Sequence, residues 1–298
     1  MNSSSILFLF LIVLSPIISL SSGDWLIAWA GMEIGMIGAL PLMLNNTSSS
    51  KEATMKYFMI QSLASSVILI GGMLFFSFMM YKSLFVFCLG LSLKIGFFPG
   101  QFWIPSLMNS LTWSSNFLIL GPLKIAPLGL LSLVMVSSIM TNLVLFLGAM
   151  SALIGSIMGM NQTKVRGMLG SSSIAHTGWA MVSMVYGFLW GYFISYMIIL
   201  LFTLFSMHNL DGFVSSMNLL SMSGLPPFLM FVAKFKVVYL LILSSKFCLL
   251  FFLILSSVIS LTFYLKFSYN NLLLTTKISL LTIIMLIALN SLGVYFII

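Results

Sequence analysis

The stretch Leu91-Ser92-Leu93-Lys94-Ile95-Gly96-Phe97-Phe98-Pro99 decides how the rest of this chain is interpreted. It lies in an apolar segment long enough to enter a lipid bilayer, yet it carries a lysine near its middle. An ammonium group in hydrocarbon costs at least about 2.5–3.5 kcal/mol on insertion scales. The glycine and proline that follow interrupt the helix that carries this group. The stretch therefore predicts a broken membrane-spanning helix whose lysine has a function.

Composition indicates that nearly the whole chain lies in the membrane. Of its 298 residues, 61% are hydrophobic and only 5% are charged, and the mean hydropathy is +1.20. A soluble domain carries about 25% charged residues. The net charge of +8 comes from basic residues scattered singly, which indicates membrane topology and not a nucleic-acid partner. We predict an all-α polytopic membrane protein with a single transmembrane domain over residues 1–298.

Redox and metal chemistry receive no support from the sequence. The two cysteines, Cys88 and Cys248, lie in apolar runs without a C-x-x-C motif, which argues against disulfide, zinc and iron–sulfur sites. Two histidines, His176 and His208, are too few for a haem bundle with two bis-histidine sites. The sequence has no phosphate-binding loop and no nucleophile–base motif. We therefore expect this chain to bind no cofactor.

Eleven membrane-spanning helices are predicted, each close to the roughly 20 residues that cross the hydrocarbon core. Short polar turns separate them. The first is read as a retained span, because it lacks the basic start and the cleavage site of a signal peptide. The predicted spans are residues 4–22, 25–44, 54–80, 84–104, 113–137, 139–160, 168–187, 189–207, 219–243, 247–267 and 277–298.

The basic residues also predict the orientation of the chain. With the N-terminus on side one, six basic residues fall in loops on that side and two fall on the other. This bias places the N-terminus on the cytoplasmic or matrix side. The residues on side one are Lys51, Lys56, Lys164, Arg166, Lys266 and Lys277, and those on the other side are Lys82 and Lys246.

A second helix break indicates an internal repeat. The break at Gly96–Pro99 lies in the fourth span, and a similar break, Gly224-Leu225-Pro226-Pro227, lies in the ninth. Each is the fourth member of a five-helix unit, and a unit with an odd number of spans is followed by one of opposite orientation. Paired broken helices in inverted repeats point to a transport site. We predict repeats over 1–137 and 138–267, with a C-terminal helix over 268–298.

Four ionisable residues fall near the middle of predicted spans, namely Glu33, Lys94, Lys124 and Lys234. Charges at this depth do not reach the interface easily. One interpretation is that they form structural ion pairs, with Glu33 as the obvious partner of Lys94. The other is that they exchange protons. Because one carboxylate cannot neutralise three lysines, at least one lysine is expected to be neutral part of the time, or hydrated. This imbalance favours proton handling.

The neighbours of these residues add detail. Gly31 and Gly35 flank Glu33 in a G-x-x-x-G pattern, which lets another helix approach closely. Prolines on both sides of Lys124 free backbone carbonyls that water can bind. His176 lies in a helix rich in serine, where it is either a hydrogen-bonded packing residue or a further member of a proton relay.

Several motifs occur in order along residues 25–240. They are Gly31-Met32-Glu33, the run from Leu93 to Pro105, Lys124-Ile125-Ala126-Pro127, Asn161 to Arg166 with Ser172 to Trp179, and Ser223 to Pro227 ahead of Lys234. Together they resemble the antiporter-like subunit 2 family of respiratory complex I. One departure is that the family often has a histidine after the proline of the fourth span, where this chain has Gly100-Gln101.

The resemblance implies a function and a setting. The function is proton translocation within NADH:ubiquinone oxidoreductase, in the mitochondrial inner membrane with the N-terminus in the matrix. It implies that Glu33 is a carboxylate coupled to the pumping lysine, Lys94. It further implies that Lys124 is a bridging lysine and that Lys234 lies towards the exit or a neighbouring subunit. NADH, FMN, iron–sulfur clusters and ubiquinone belong to other subunits in this family. The implied partners are other membrane-arm subunits, including antiporter-like neighbours, and membrane lipids.

Two other functions stay open at this point. Free-standing cation/proton antiporters have a fold that resembles the one implied here. Such a protein needs carboxylates to bind its cation, however, and this chain has few acidic residues. A purely structural subunit, in which the buried charges only lock helices together, is the second alternative.

Overall fold

A computed structural model describes residues 3–44, 47–77, 83–135, 138–209, 211–226 and 228–273. Within these ranges the regular structure is helical, without a strand, which confirms the all-α prediction. The chain divides into two compact units, with the boundary between Thr141 and Asn142. The predicted eleventh span, together with Lys82, Pro227 and Lys277, lies outside the described residues.

The first unit contains three long helices and a series of shorter ones. Its order is α1 Ser3–Ser21, α2 Trp25–Met43, α3 Ser48–Gly72, α4 Ser83–Ile95, α5 Trp103–Met108, α6 Trp113–Leu120 and α7 Pro122–Leu133. A five-residue π-helical turn, Met73–Ser77, extends α3. The shorter helices cluster around the motif-bearing segments, so the unit is broken where the sequence carries its glycines and prolines.

The second unit is built around a buried polar helix. Its helices are α8 Ser138–Met160, whose first four residues precede the boundary, α9 Val165–Val185, α10 Leu189–His208, α11 Gly212–Ser223, α12 Leu229–Leu243 and α13 Phe247–Leu273. Every residue of α9 from Gly167 to Met184 is buried. Its serines donate to carbonyls three residues back, as Ser171 and Ser172 do to Met168 and Leu169, which gives each buried hydroxyl an acceptor within its own helix.

Six helices of the described part are long and apolar enough to cross a membrane. Large apolar side chains cover much of the outer surface, for example Phe10, Leu63 and Phe251, as expected where lipid replaces water. The six segments are Trp25–Met43, Ser48–Phe76, Trp113–Leu133, Met140–Met160, Leu189–His208 and Phe247–Leu273.

Both predicted breaks are present, each with a left-handed glycine after a helix end. The chain leaves α4 through Gly96 at φ 81° and leaves α11 through Gly224 at φ 82°. Glycine adopts this conformation without the Cβ penalty of other residues. The fourth predicted span thus stops at Ile95, and its remaining residues resume in α5.

The fifth predicted span holds a break that the sequence analysis did not place. Gly121 separates α6 from α7, and Pro122 opens α7. Proline has no N–H to continue the preceding helix but suits the first position of a new one. The break sets Lys124 in the first turn of α7, near a helix start and not within a continuous span.

Candidate functional site

The first unit brings Glu33 and Lys94 into direct contact. The Lys94 ammonium, from α4, donates to the Glu33 carboxylate on α2, with 2.5 Å between Nζ and Oε1. The two side chains are 5% and 18% exposed. Because the two side chains are largely shielded from solvent, separating them would leave each charge without a partner and without full hydration. Their mutual attraction therefore holds the pair together.

The glycines beside Glu33 fix the position of its helix. A Cβ at Gly31 would lie 3.0 Å from the Ser19 backbone nitrogen, and one at Gly35 would lie 2.6 Å from the Ser15 hydroxyl. The G-x-x-x-G pair therefore lets α2 pack closely on α1, as predicted. Glu33 is two residues away from each glycine, which puts it on a different face of α2. That face meets Lys94.

Neutral side chains cap the end of α4 at the first break. The indole of Trp103 donates to the Leu93 carbonyl at 3.0 Å, and the Gln61 amide donates to the Lys94 carbonyl at 3.3 Å. Carbonyls in the last turn of a helix lack partners within the helix. Because these two are satisfied by Trp103 and Gln61, the Lys94 ammonium is available to Glu33.

Lys124 lies across a small cavity from Lys94. Both lysines line this cavity, with Tyr57 and Gln61 on its wall. Its volume is about 20 Å³ when counted as room for the centres of water molecules, and a single water needs roughly 10–15 Å³ on that measure. Lys124 is only 3% exposed. The cavity therefore has room for one water molecule in contact with the residues that line it.

Gln101 is a buried polar residue whose role the sequence analysis did not foresee. It is fully buried, and neither amide atom has a hydrogen-bond partner within the described part of the protein. Buried amides in proteins are paired, often with water. Its position directly after Pro99-Gly100, where the family often has a histidine, was the available signal.

Lys234 occupies the second break in a different way. Its ammonium donates to the Ser223 carbonyl at the end of α11, at 2.7 Å, and lies 5.7 Å from the centre of the Trp179 ring. A cation at a helix C-terminus is stabilised by the exposed carbonyls. A cavity of about 270 Å³ adjoins the lysine. No carboxylate lies within 4.0 Å of it among the residues that the structure describes.

His176 joins two tyrosines at the centre of the second unit. Its Nδ1 lies 3.0 Å from the Tyr192 hydroxyl on α10, and its Nε2 lies 3.2 Å from the Tyr264 hydroxyl on α13. The ring of Tyr196 packs on the imidazole, with 4.9 Å between ring centres. Sequence reasoning singled out the histidine but not the tyrosines, which look like ordinary aromatic residues of apolar spans.

The predicted site residues therefore form two groups. Glu33, Lys94 and Lys124 lie together in the first unit. His176 and Lys234 lie in the second, where the Trp179 ring stacks on Tyr192 with ring centres 6.5 Å apart and its centre lies 5.7 Å from the Lys234 ammonium. Within the described ranges, no group of three or more His, Cys, Asp or Glu side chains is placed to hold a metal ion.

Comparisons with known proteins identify relatives of this chain. A family profile described as NADH:quinone oxidoreductase/Mrp antiporter, TM, matches residues 22–84 and 77–215. The NADH-ubiquinone oxidoreductase chain 2 of Albinaria caerulea is 38% identical over 245 residues, which is 81% of this chain and 80% of that protein.

Solved structures share the fold. A chain of respiratory complex I from Thermus thermophilus matches with a TM-score of 0.81 at 18% identity, over 98% of this chain and 78% of that one. A chain of the Mrp complex from a Dietzia species matches with a TM-score of 0.78 at 14% identity, over 87% of this chain and 59% of that one.

Proposed function

Since the chain belongs to the NADH:quinone oxidoreductase/Mrp antiporter membrane family, we propose that it is a proton-translocating membrane-arm subunit of a respiratory NADH:ubiquinone oxidoreductase. The observation that carries this proposal is the buried pair of Glu33 and Lys94. It lies beside a helix break, and a water-sized cavity leads from it to a second lysine, Lys124.

In the proposed mechanism, Lys94 is the switch of the first unit. While Glu33 is ionised, it holds the Lys94 ammonium at 2.5 Å. When Glu33 gains a proton or turns away, a buried ammonium without a counter-charge is unfavourable. Lys94 then releases its proton through the cavity towards Lys124, and one water molecule fits between them. The break after α4 leaves the end of this helix free to adjust.

In the second unit, Lys234 and His176 are the proposed continuation of the relay. The 270 Å³ cavity beside Lys234 admits several waters, so this lysine can exchange protons without a direct side-chain acceptor. The Ser223 carbonyl holds its ammonium in place between transfers. We assign Lys234 to the exit side or to a contact with a neighbouring subunit, and His176 to an internal step.

The setting follows from the same premise. We propose that the neighbours are other membrane-arm subunits, including antiporter-like ones, and that NADH, FMN, iron–sulfur clusters and ubiquinone act in other subunits, with no redox centre in this chain. The proposed location is the mitochondrial inner membrane with the N-terminus in the matrix. The six-to-two bias of basic residues in and next to the predicted loops supports that orientation. A free-standing antiporter is less well supported, because a relative that this chain matches over 80% of its length is an NADH-ubiquinone oxidoreductase chain.

The decisive test replaces Lys94 with methionine in the assembled complex. Lys94→Met keeps the length of the side chain but removes the proton-carrying group. We expect NADH-driven proton translocation in proteoliposomes to fall by at least about tenfold, the scale on which a proton-transfer group contributes, while the complex still assembles.

The matched control is Lys56→Met. Lys56 also pairs with a glutamate, Glu52, at 2.7 Å, but both side chains are more than half exposed. An exposed pair of this kind contributes little, so translocation is expected to stay normal. Normal pumping by Lys94→Met would contradict the proposed function.

A further inference from the structure

Three side chains from three helices form one hydrogen-bonded chain in the second unit. Tyr192 on α10 and Tyr264 on α13 contact the two ring nitrogens of His176 on α9, at 3.0 and 3.2 Å. All three residues are buried, with at most 4% exposure. The histidine is thus held from both sides by hydroxyl groups that reach it from different helices.

Because of the chemistry of imidazole, one tyrosine hydroxyl donates a hydrogen bond to the ring and the other accepts one. A neutral imidazole has one N–H donor and one acceptor nitrogen. If Nδ1 accepts from the Tyr192 hydroxyl, then Nε2–H donates to the Tyr264 oxygen, and in the other tautomer both bonds are reversed. The two arrangements need the same heavy-atom positions and differ only in where the protons lie. The chain therefore has two states of similar geometry.

We propose that Tyr192 and Tyr264 carry the proton to and from His176, an inference that rests on the proposed function. The Tyr192 oxygen takes up a proton as its own hydroxyl proton passes to Nδ1. The proton on Nε2 passes to the Tyr264 oxygen, whose own proton leaves. The Ser172 hydroxyl is a further polar group beside Tyr264. One proton enters, one leaves, and the imidazole stays neutral in its other tautomer; transfer in the reverse direction, or rotation of the ring, restores the first.

The surroundings favour exchange through these hydroxyls. On α10 the remaining ionisable group near His176 is Tyr196, whose ring stacks on the imidazole. On α12 the ionisable group is Lys234, whose ammonium lies 5.7 Å from the centre of the Trp179 ring. The sequence of α8 contains no ionisable side chain, and on α13 the group in contact is Tyr264. The tyrosine hydroxyls are the groups that meet the imidazole nitrogens.

The test removes the hydroxyls and keeps the rings. Tyr192→Phe, Tyr264→Phe and the double variant are made in the whole complex, and proton translocation by the assembled complex is measured in proteoliposomes. We expect each single variant to lower the rate by at least about tenfold. Residues that act as one unit show non-additive losses, so the double variant should be no slower than the slower single variant. Independent packing effects would instead add up.

A tyrosine outside the chain provides the control. The Tyr186 hydroxyl lies 2.7 Å from the Ser244 hydroxyl and also joins two segments of the second unit. Tyr186→Phe loses a comparable bond and should pump within about twofold of the unaltered complex, as expected for loss of one ordinary hydrogen bond.

The possible outcomes separate this inference from the proposed function. Normal pumping by both single variants, additive losses in the double variant, or failure of the variants to assemble would each overturn the relay role of the tyrosines. If Lys94→Met abolishes pumping in the same assay while the tyrosine variants pump normally, only this inference fails. If Lys94→Met pumps normally, the proposed function itself fails.

Discussion

The two helix breaks have the same backbone conformation but differ in what their lysines bind. At each one a helix ends and a left-handed glycine follows, Gly96 at φ 81° and Gly224 at φ 82°. At the first break, Gln61 and Trp103 satisfy the last carbonyls, and Lys94 pairs with Glu33. At the second, Lys234 itself donates to the last carbonyl, that of Ser223.

This difference shows that one backbone device supports two electrostatic arrangements. Where neutral donors cap the helix end, the lysine is left for a carboxylate, so its charge depends on the state of Glu33. Where the lysine is the cap, its charge is balanced by a helix end that does not titrate. The cavities follow the same division, about 20 Å³ beside Lys94 and about 270 Å³ beside Lys234. Lys94 is therefore suited to switching and Lys234 to exchange with water.

Removing the carboxylate at the first break should have the largest effect. Glu33→Gln leaves the buried Lys94 ammonium without its counter-charge, and breaking one partner of a buried pair costs about 3–5 kcal/mol. We expect a clear fall in the thermal unfolding midpoint of the complex, together with loss of proton translocation.

The double variant Glu33→Gln/Lys94→Met separates pairing from pumping. With both charges gone, most of the lost stability should return while translocation stays absent. Glu52→Gln, at the exposed pair with Lys56, should leave both measurements unchanged. An unaltered unfolding midpoint in Glu33→Gln would show that the two breaks do not differ in the way described.

Removing the lysine at the second break should have an intermediate effect. Lys234→Met leaves the Ser223 carbonyl without its donor, and an unsatisfied buried group costs about 1–3 kcal/mol. The adjoining cavity lets water replace the donor in part. The loss of free energy of unfolding should therefore lie at the lower end of that range. A loss as large as that of Glu33→Gln, measured by thermal unfolding, would mean that Lys234 is not simply a helix cap.

The sequence predicts the elements of this comparison better than their contacts. The glycine–proline motifs predict both breaks, because their conformational limits act locally. The pairing of Glu33 with Lys94 also follows, because Glu33 is the single acidic residue near the middle of a predicted span. The break at Gly121 is local too, but the predicted span runs through it because its apolar residues continue on both sides.

Contacts between distant segments lie beyond the same reasoning. Gln61 and Lys94 are 33 residues apart, and His176 and Tyr264 are 88 apart. Periodicity does not reveal which face of a helix meets which neighbour when the helix is apolar all round. The tyrosine partners of His176 and the donor role of Lys234 towards Ser223 therefore depend on tertiary packing, which the motifs do not encode.

The smallest expected effect comes from removing a neutral cap at the first break. Gln61→Leu deletes the donor to the Lys94 carbonyl, a 3.3 Å bond, and should lower the free energy of unfolding by about 1 kcal/mol. Because Glu33 and Lys94 keep their contact, proton translocation should stay within about twofold of normal. Measuring both quantities in Gln61→Leu and in Lys234→Met tests the comparison directly, since each variant removes one helix cap but only the second removes a proton carrier. Equal losses of translocation in the two variants would show that capping, and not the lysine charge, sets the rate at both breaks.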